Sequence, residues 1–100
     1  MVTFKKFDED KLRFDLIDPN FLEEIAYILT MGGLKYGFEN FKKLPKEEIY
    51  RYKAALLRHI NQYLQGSIID EESEKSHLAH AACNLMFLYY FTNKDNDNNE

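Results

Sequence analysis

The segment from Ser76 to Phe91 is apolar almost throughout, yet it carries a stripe of polar side chains. Read as a helix, it puts His77, His80 and Asn84 at i, i+3 and i+7, so these side chains share one face of the cylinder. A helix that is apolar nearly all round is normally buried, and buried polar groups need hydrogen-bond partners. The stripe therefore predicts that this helix faces another polar surface, a metal, a ligand or a second subunit.

Start and stop signals divide the middle of the chain into helices. Asp18 can cap backbone amides and Pro19 fits the first helical position, so a helix is predicted to begin there. Pro45 is suited to open a second helix and Gly66 to end it. The spacing of apolar residues within each segment agrees with a helical period. The sequence thus predicts an all-α domain with three main helices, at about 19–36, 45–65 and 74–91.

Both ends of the chain differ from this helical middle. Residues 1–17 mix aromatic and charged side chains, and the alternation from Lys11 to Leu16 favours an extended N-terminal arm. Residues 93–100 are polar and have no apolar anchor, so we expect a disordered tail there. The sequence shows no internal repeat and no linker, which predicts a single domain over residues 1–92.

Charge, hydropathy and length restrict the partners. The formal net charge of −4 argues against binding to duplex nucleic acid, although a local group of Lys and Arg can still bind a phosphate. No segment has the ~20 apolar residues of a membrane span and no signal peptide is recognisable, so we expect a cytoplasmic location and no membrane partner. A chain of 100 residues buries only about two thirds of its unfolded surface, which favours a homo-oligomer.

The three histidines of the chain are predicted to converge. If the second helix turns the face of His59 towards the third helix, that imidazole meets His77 and His80. Two imidazoles at i and i+3 can reach one divalent cation, and Asp70 from the preceding loop can add an oxygen ligand. One alternative is structural, with imidazoles that only hydrogen-bond near the start of their helix. Another is direct ligand recognition, in which neutral His and Asn84 contact a nucleobase.

A glycine-containing stretch at the end of the first predicted helix is a candidate anion site. Gly32 and Gly33 lie close to Lys35 and Asn40, and small residues allow the backbone to approach a phosphate closely. The pattern is neither a Walker loop nor a dinucleotide fingerprint. Further cationic candidates, each of which can equally be a solvated surface charge, are Lys11, Arg13 and Arg58.

Several short motifs occur in an order that resembles a known family. They are Lys35-Tyr36-Gly37, Arg58-His59 and His77-Leu78-Ala79-His80-Ala81-x-x-Asn84. Over about residues 9–91 this order is similar to the dATP/dGTP diphosphohydrolases, small proteins common in phages. Phe41 stands where that family often has Trp, which keeps an aromatic surface. The resemblance implies a nucleotide-binding helical domain, and it adds Tyr36 to the candidate ligand-binding residues beside Lys35, Asn40, Arg58 and Asn84.

That family is thought to be related to the all-α, MazG-like nucleoside triphosphate pyrophosphohydrolases, which hold magnesium with ExxE on one helix and ExxD on a later one. On that pattern His77-x-x-His80 stands in the place of ExxD, and His59-x-x-Gln62 is the nearest counterpart of ExxE. Imidazoles thus replace carboxylates. Because magnesium prefers oxygen ligands, the replacement favours Mn²⁺, Zn²⁺ or Ni²⁺ over Mg²⁺, or no metal at all.

Two functions follow from these residues and the resemblance. The first is a metal-dependent diphosphohydrolase that cleaves a purine deoxynucleoside triphosphate to the monophosphate and pyrophosphate. Its expected parts are metal ligands His59, His77, His80 and Asp70, phosphate-binding Lys35, Arg13 and Arg58, and a water-orienting carboxylate, Asp15 or Glu24. The second is a non-catalytic protein that sequesters a nucleotide or cyclic nucleotide, as a sponge against host immune signalling. A helical interaction module without a small ligand is a third interpretation.

Overall fold

The computed structural model describes residues 10–98, and this part of the chain is built from three α-helices. Helix α1 spans Pro19–Tyr36, helix α2 spans Tyr50–Leu64 and helix α3 spans His77–Asn98. Short 3-10 turns occupy Phe14–Leu16, Asn40–Lys43 and Lys46–Glu48. The described residues contain no β-strand, only an isolated bridge between Ile69 and Ser76. The predicted all-α class and the count of three helices are confirmed.

Local signals set both ends of α1. The carboxylate of Asp18 accepts a hydrogen bond from the backbone N–H of Asn20 (3.2 Å), which satisfies one of the free amides of the first turn. At the other end Gly37 has φ +102° and donates its N–H to the carbonyl of Gly33 (2.8 Å). That conformation favours glycine, so the helix ends where the sequence predicts.

The two later helices begin after their predicted starting points. The N–H of Glu48 bonds to the carbonyl of Pro45 (2.8 Å) in a 3-10 turn, so the α-helical pattern begins only at Tyr50. Glu74 has φ +63°, in the left-handed region, and a helix cannot pass through that conformation. Helix α3 therefore begins at His77 rather than at 74.

Where the structure describes the terminal segments, they differ from the expected extended arm and disordered tail. Residues 14–16 form a 3-10 turn instead of a strand, because Arg13 binds Asp15 across the turn (2.8 Å) and no neighbouring strand pairs with this part of the chain. Helix α3 continues through Asn98, so residues 93–98 are helical rather than a disordered tail. Adding residues to an existing helix is far easier than starting one. The predicted arm over residues 1–9 and the tail over residues 99–100 lie outside the described residues.

Helix α3 is the centre of the domain, because α1 and α2 both pack against it. Its small residues Ala79, Ala81 and Cys83 are buried, and the thiol of Cys83 faces the carbonyl of Ile25 on α1 (3.8 Å). Burial raises the pKa of Cys83 to about 11, so this thiol stays protonated and packs as a small apolar group.

An aromatic cluster joins α2 and the 3-10 turn at residues 40–43 to α3. The rings of Phe41 and Phe87 stack with centroids 4.5 Å apart, and the ring of Tyr52 lies 4.9 Å from that of Phe87. The hydroxyl of Tyr52 donates to the carbonyl of Phe41 (3.0 Å). These contacts fix the loop after α1 against the helices, and they close one side of the site described next.

The core of a single chain is small for its length. No large side chain among the described residues is fully buried, whereas Leu57 and Leu64 on α2 are 64% and 74% exposed. The radius of gyration is 16.8 Å, against about 13 Å for a compact domain of 100 residues. None of the helices in the described part is both long enough and apolar enough to cross a bilayer.

Candidate metal centre and ligand cavity

Two histidines join α2 to the start of α3. The Nδ1 atom of His59 lies 2.9 Å from Nδ1 of His77, so one of these nitrogens carries a hydrogen and the other accepts it. The Nε2 atom of His77 lies 3.2 Å from the hydroxyl of Ser67. His77 is buried, with 6% of its surface exposed, and its contacts satisfy both ring nitrogens.

A second polar group forms around Asp70 in the loop between α2 and α3. One carboxylate oxygen of Asp70 accepts hydrogen bonds from both the backbone N–H and the hydroxyl of Ser73 (2.9 Å each). The same hydroxyl lies 2.6 Å from Nε2 of His80, which is 3.6 Å from the carboxylate. Because the hydroxyl hydrogen goes to Asp70, the serine oxygen is free to accept the Nε2 hydrogen of His80.

The fold of this loop explains why Asp70 returns to the helices. Gly66 turns the chain after α2 with φ +101°, and the N–H of His77 then bonds to the carbonyl of Ile68 (2.9 Å). Within the loop that this bond closes, the backbone N–H of Asp70 donates to the carbonyl of Lys75 (2.8 Å). Side chains from the two sides of the loop are thereby held next to the first turn of α3.

The donor atoms of His59, Asp70 and His77 all lie within 4.8 Å of one another. Two imidazole nitrogens and one carboxylate oxygen form a donor set that suits Zn²⁺, Mn²⁺ or Ni²⁺ better than Mg²⁺. The hydroxyl of Ser67 can accept a hydrogen from Nε2 of His77, which leaves its Nδ1 lone pair free for an ion. The residues therefore fit a divalent metal, which the sequence leaves open as one possibility, and three of the four candidate ligands are in this group.

His80, the fourth predicted ligand, lies beside this group. Its ring stacks on that of His59 with centroids 4.6 Å apart and an angle of 10° between the planes. Its Nε2 atom is engaged with Ser73 and Asp70. His80 is thus positioned to support His59 and Asp70 as well as to face a ligand.

The pKa shifts of His59, His80 and Asp70 favour the protonation states in which these side chains can bind a metal. Burial, followed by the neighbouring imidazoles of His80 and His77, lowers the pKa of His59. Burial likewise lowers the pKa of His80. For Asp70, burial acts to raise the pKa, but the hydrogen bonds from Ser73 outweigh it and the pKa lies below its usual value. At neutral pH the imidazoles of His59 and His80 are therefore neutral and the carboxylate of Asp70 is charged, as metal ligands must be.

The cluster opens on a large cavity between α1, α2 and α3. The cavity has a volume of about 1080 Å³, and His59 and His80 form part of its wall. Phe41 and Phe87 supply an aromatic side, while Asn84 lies on α3 one turn after His80. Such a mixture of apolar surface and a few polar groups is typical of small-molecule sites.

Most of the predicted ligand-binding residues border this space. Tyr36, Asn40 and Asn84 line the cavity, and Asn84 donates its side-chain amide to the carbonyl of His80 (3.1 Å). Arg58 borders an adjoining cavity of about 610 Å³. Lys35 lies next to the site, with its ammonium 5.1 Å above the ring centre of Tyr36.

The remaining predicted residues are engaged elsewhere. Arg13 and Asp15 form an exposed ion pair with each other (2.8 Å), and Lys11 is exposed on the same arm; none of the three borders the two cavities described above. Glu24 accepts a hydrogen bond from the backbone N–H of Ser76 (2.8 Å), just before α3. These contacts take Asp15 away from the cavity and give Glu24 a role in fixing the start of α3.

Sequence reasoning missed three groups that shape the site. Ser67 and Ser73 hold His77 and His80, and the position of Ser73 three residues after Asp70 is a local signal for their hydrogen bond. Phe38 packs so closely on Gly33 that a Cβ atom there would collide with its ring. No pattern in the sequence indicates that contact.

The chain is similar to known proteins of one family. Residues 2–100 match the family model described as dATP/dGTP diphosphohydrolase, N-terminal. The chain is also 40% identical over 92 residues to a protein of Salmonella phage PMBT28 named dATP/dGTP diphosphohydrolase. That alignment covers 92% of this chain and 31% of the phage protein, so the chain spans about a third of the length of that relative. No solved structure matches the chain.

Proposed function

The chain belongs to the dATP/dGTP diphosphohydrolase family, and we propose that it is a nucleotide-binding domain whose cavity accepts a purine deoxynucleoside triphosphate and cleaves it with the help of a divalent metal. The observation that carries the proposal is the group of His59, Asp70 and His77, whose donor atoms lie within 4.8 Å of one another beside a cavity of about 1080 Å³. A metal next to a cavity is a frequent arrangement for phosphate chemistry.

The cavity has features that suit a nucleoside. Phe41 and Phe87 stack on each other and offer an aromatic surface against which a base can pack. Asn40 and Asn84 carry amides, which can both donate to and accept from the edge of a purine. The volume lies at the upper end of the range for small-molecule sites, which leaves room for sugar and phosphates.

In this proposal, each side chain of the site has a separate role. A divalent ion held by His59, Asp70 and His77 would polarise a phosphate oxygen. His80 faces the cavity and stacks on His59, so it helps keep that imidazole in place. Arg58 neutralises phosphate charge from the adjoining cavity, and Asn84 lies on the wall common to both cavities.

One observation favours sequestration without cleavage as a second candidate. Neither of the carboxylates predicted to orient water is free at the cavity, because Asp15 pairs with Arg13 and Glu24 bonds to the backbone of Ser76. Without either of these carboxylates to orient the attacking water, hydrolysis is slowed while nucleotide binding is unaffected. This candidate shares the cavity and the phosphate-binding groups with the first.

We also propose that the chain acts as a homo-oligomer in the cytoplasm. Tyr50, Leu57 and Leu64 recur every seven residues on one face of α2 and are 63%, 64% and 74% exposed. Burying such a stripe against a second copy removes apolar surface from water, which is the main driving force of association.

The test uses the purified chain and four deoxynucleoside triphosphates, each with Mn²⁺, Zn²⁺ or Mg²⁺. Chromatography after incubation detects monophosphate and pyrophosphate, and heating of the washed protein releases any nucleotide that stayed bound. Products from dATP or dGTP support the hydrolase, whereas intact nucleotide in the heated fraction without products supports sequestration. If neither products nor released nucleotide are found, both candidates are wrong.

A further inference from the structure

The cavity that adjoins the site has a cationic lining. It has a volume of about 610 Å³ and is bordered by Arg51 and Arg58 of α2. The two cavities share five wall residues, which are Tyr36, Asn40, Tyr52, Ala55 and Asn84. They are therefore two compartments of one continuous depression, an apolar one with the imidazoles and a cationic one with the guanidinium groups.

Helix geometry puts the two arginines on a single face of α2. Residues seven apart lie two turns apart on the same side, about 10 Å along the axis. Arg51 also contacts the carboxylate of Glu48 (3.1 Å), whereas Arg58 has no ion-pair partner among the described residues. A guanidinium group can donate hydrogen bonds to two phosphate oxygens at once. This face of α2 therefore offers two groups that can each bind a phosphate.

The depression offers a separate surface for each part of a nucleoside triphosphate. The aromatic pair Phe41 and Phe87 lies in the large compartment, where His59 and His80 are also part of the wall. Asn84 belongs to both compartments, and the two arginines border only the smaller one. A base suits the aromatic surface, and a pyrophosphate moiety suits the guanidinium groups.

We propose that Arg51 and Arg58 form the subsite for the β- and γ-phosphates, and that this chain therefore selects nucleoside triphosphates over monophosphates. The inference rests on the proposed function, because it assumes that a nucleotide occupies the large cavity. Pyrophosphate, the product of the proposed cleavage, occupies the same subsite after the reaction.

Calorimetric titration of dATP, dAMP and inorganic pyrophosphate tests this assignment. The proteins are the wild type, the double variant Arg51→Ala/Arg58→Ala and a matched control, Lys53→Ala, whose exposed cation lies on another face of the same helix. We expect the double variant to bind dATP and pyrophosphate at least about tenfold more weakly, since it loses charge-assisted hydrogen bonds. Its affinity for dAMP should stay within about twofold of the wild type, and the control should bind all three normally.

Each other outcome has a separate meaning. An equal loss for dAMP and dATP in the double variant overturns the subsite, and so does an equal loss of dATP binding in the control. A wild type that binds neither dATP nor pyrophosphate also overturns it. If dATP binds with the expected pattern but is never cleaved, the subsite stands and only the hydrolytic part of the proposed function fails. Unfolding curves of the variants show whether each one is folded.

Discussion

The Nδ1 atoms of His59 on α2 and His77 on α3 lie 2.9 Å apart, so the two helices are connected by a hydrogen bond between imidazoles. Both histidines also belong to the candidate metal centre. An ion bound through these two Nδ1 atoms and a hydrogen bond between them exclude each other. Metal binding through Nδ1 therefore requires the hydrogen of each imidazole to reside on Nε2, and for His77 the hydroxyl of Ser67 can accept it there (3.2 Å).

Replacing His77 by Phe should destabilise the fold. The change leaves the imidazole of His59 and the hydroxyl of Ser67 without the partners that they have now, in a largely buried position. We expect the free energy of unfolding to fall by about 1–3 kcal/mol in urea denaturation without metal. Thr92→Ala, at an exposed position of the same helix, should change it by less than about 0.5 kcal/mol. Equal stability of His77→Phe and the wild type would show that the imidazole bond contributes nothing.

Stability should decrease as the solution is acidified from pH 7.5 to 5. Burial lowers the pKa of His59 and His80 below 6.5, so the unfolded chain takes up protons at a higher pH than the folded chain does. The stabilisation is fully present above about pH 6.5 and is lost as the pH falls through the folded pKa values. Asp70 contributes only at lower pH, because its pKa lies below 3.8.

Thermal unfolding at several pH values without metal measures this effect. The variant His59→Gln should show a flatter profile than the wild type between pH 7 and 5, since it lacks one of the two titrating imidazoles. A wild type that becomes more stable on acidification through this range would contradict the assignment of neutral, buried imidazoles.

The neighbouring glycines of α1 offer a matched pair of substitutions. A Cβ atom at Gly32 meets nothing within 4 Å, whereas one at Gly33 collides with the ring of Phe38. Gly32→Ala should stabilise the helix by up to about 1 kcal/mol in urea denaturation, because alanine has the higher helix propensity. Gly33→Ala should lose that gain, since Phe38 must leave its place in the cavity wall, and dATP should bind more weakly. Equal effects of the two changes would mean that Phe38 does not pack on Gly33.

Self-association should depend on the exposed stripe of α2. The double variant Leu57→Asp/Leu64→Asp puts charges in the stripe, and sedimentation velocity should show a shift from oligomer to monomer. Gln62→Glu adds a charge on another exposed face of α2 and should leave the oligomer intact. A wild type that sediments as a monomer at all concentrations would contradict the proposal.

The bounds of α1 and the common helical face of His77 and His80 follow from local rules. Asp18, Pro19 and Gly37 are signals that act within a few residues, and the spacing of His77 and His80 puts both on one helical face. The late start of α3 could not be read from the sequence. It depends on Glu74 with φ +63° and on hydrogen bonds that close the loop around Asp70.

The contacts of the site also fall into two groups, those that the sequence indicates and those that depend on the folded path of the chain. Asp70 was predicted as a ligand because it is a carboxylate close in sequence to the histidines, whereas the roles of Ser67 and Ser73 depend on the path of the loop. The sequence predicts Asp15 as a carboxylate that orients water, yet it pairs with Arg13 two residues away. A short-range ion pair on an exposed arm competes with any distant role, and the sequence does not indicate which one prevails.

The central proposal is that His59, Asp70 and His77 hold a divalent ion that acts on a nucleotide in the neighbouring cavity. The direct measurement is cleavage of dATP, followed as dAMP by anion-exchange chromatography, over a titration of Mn²⁺ with the wild type and with Asp70→Asn. We expect cleavage by the wild type to be absent in chelator and to rise to a plateau with Mn²⁺, and we expect Asp70→Asn to need at least about tenfold more Mn²⁺. Cleavage that persists in chelator, identical Mn²⁺ curves for the two proteins, or no cleavage at any Mn²⁺ concentration would contradict it.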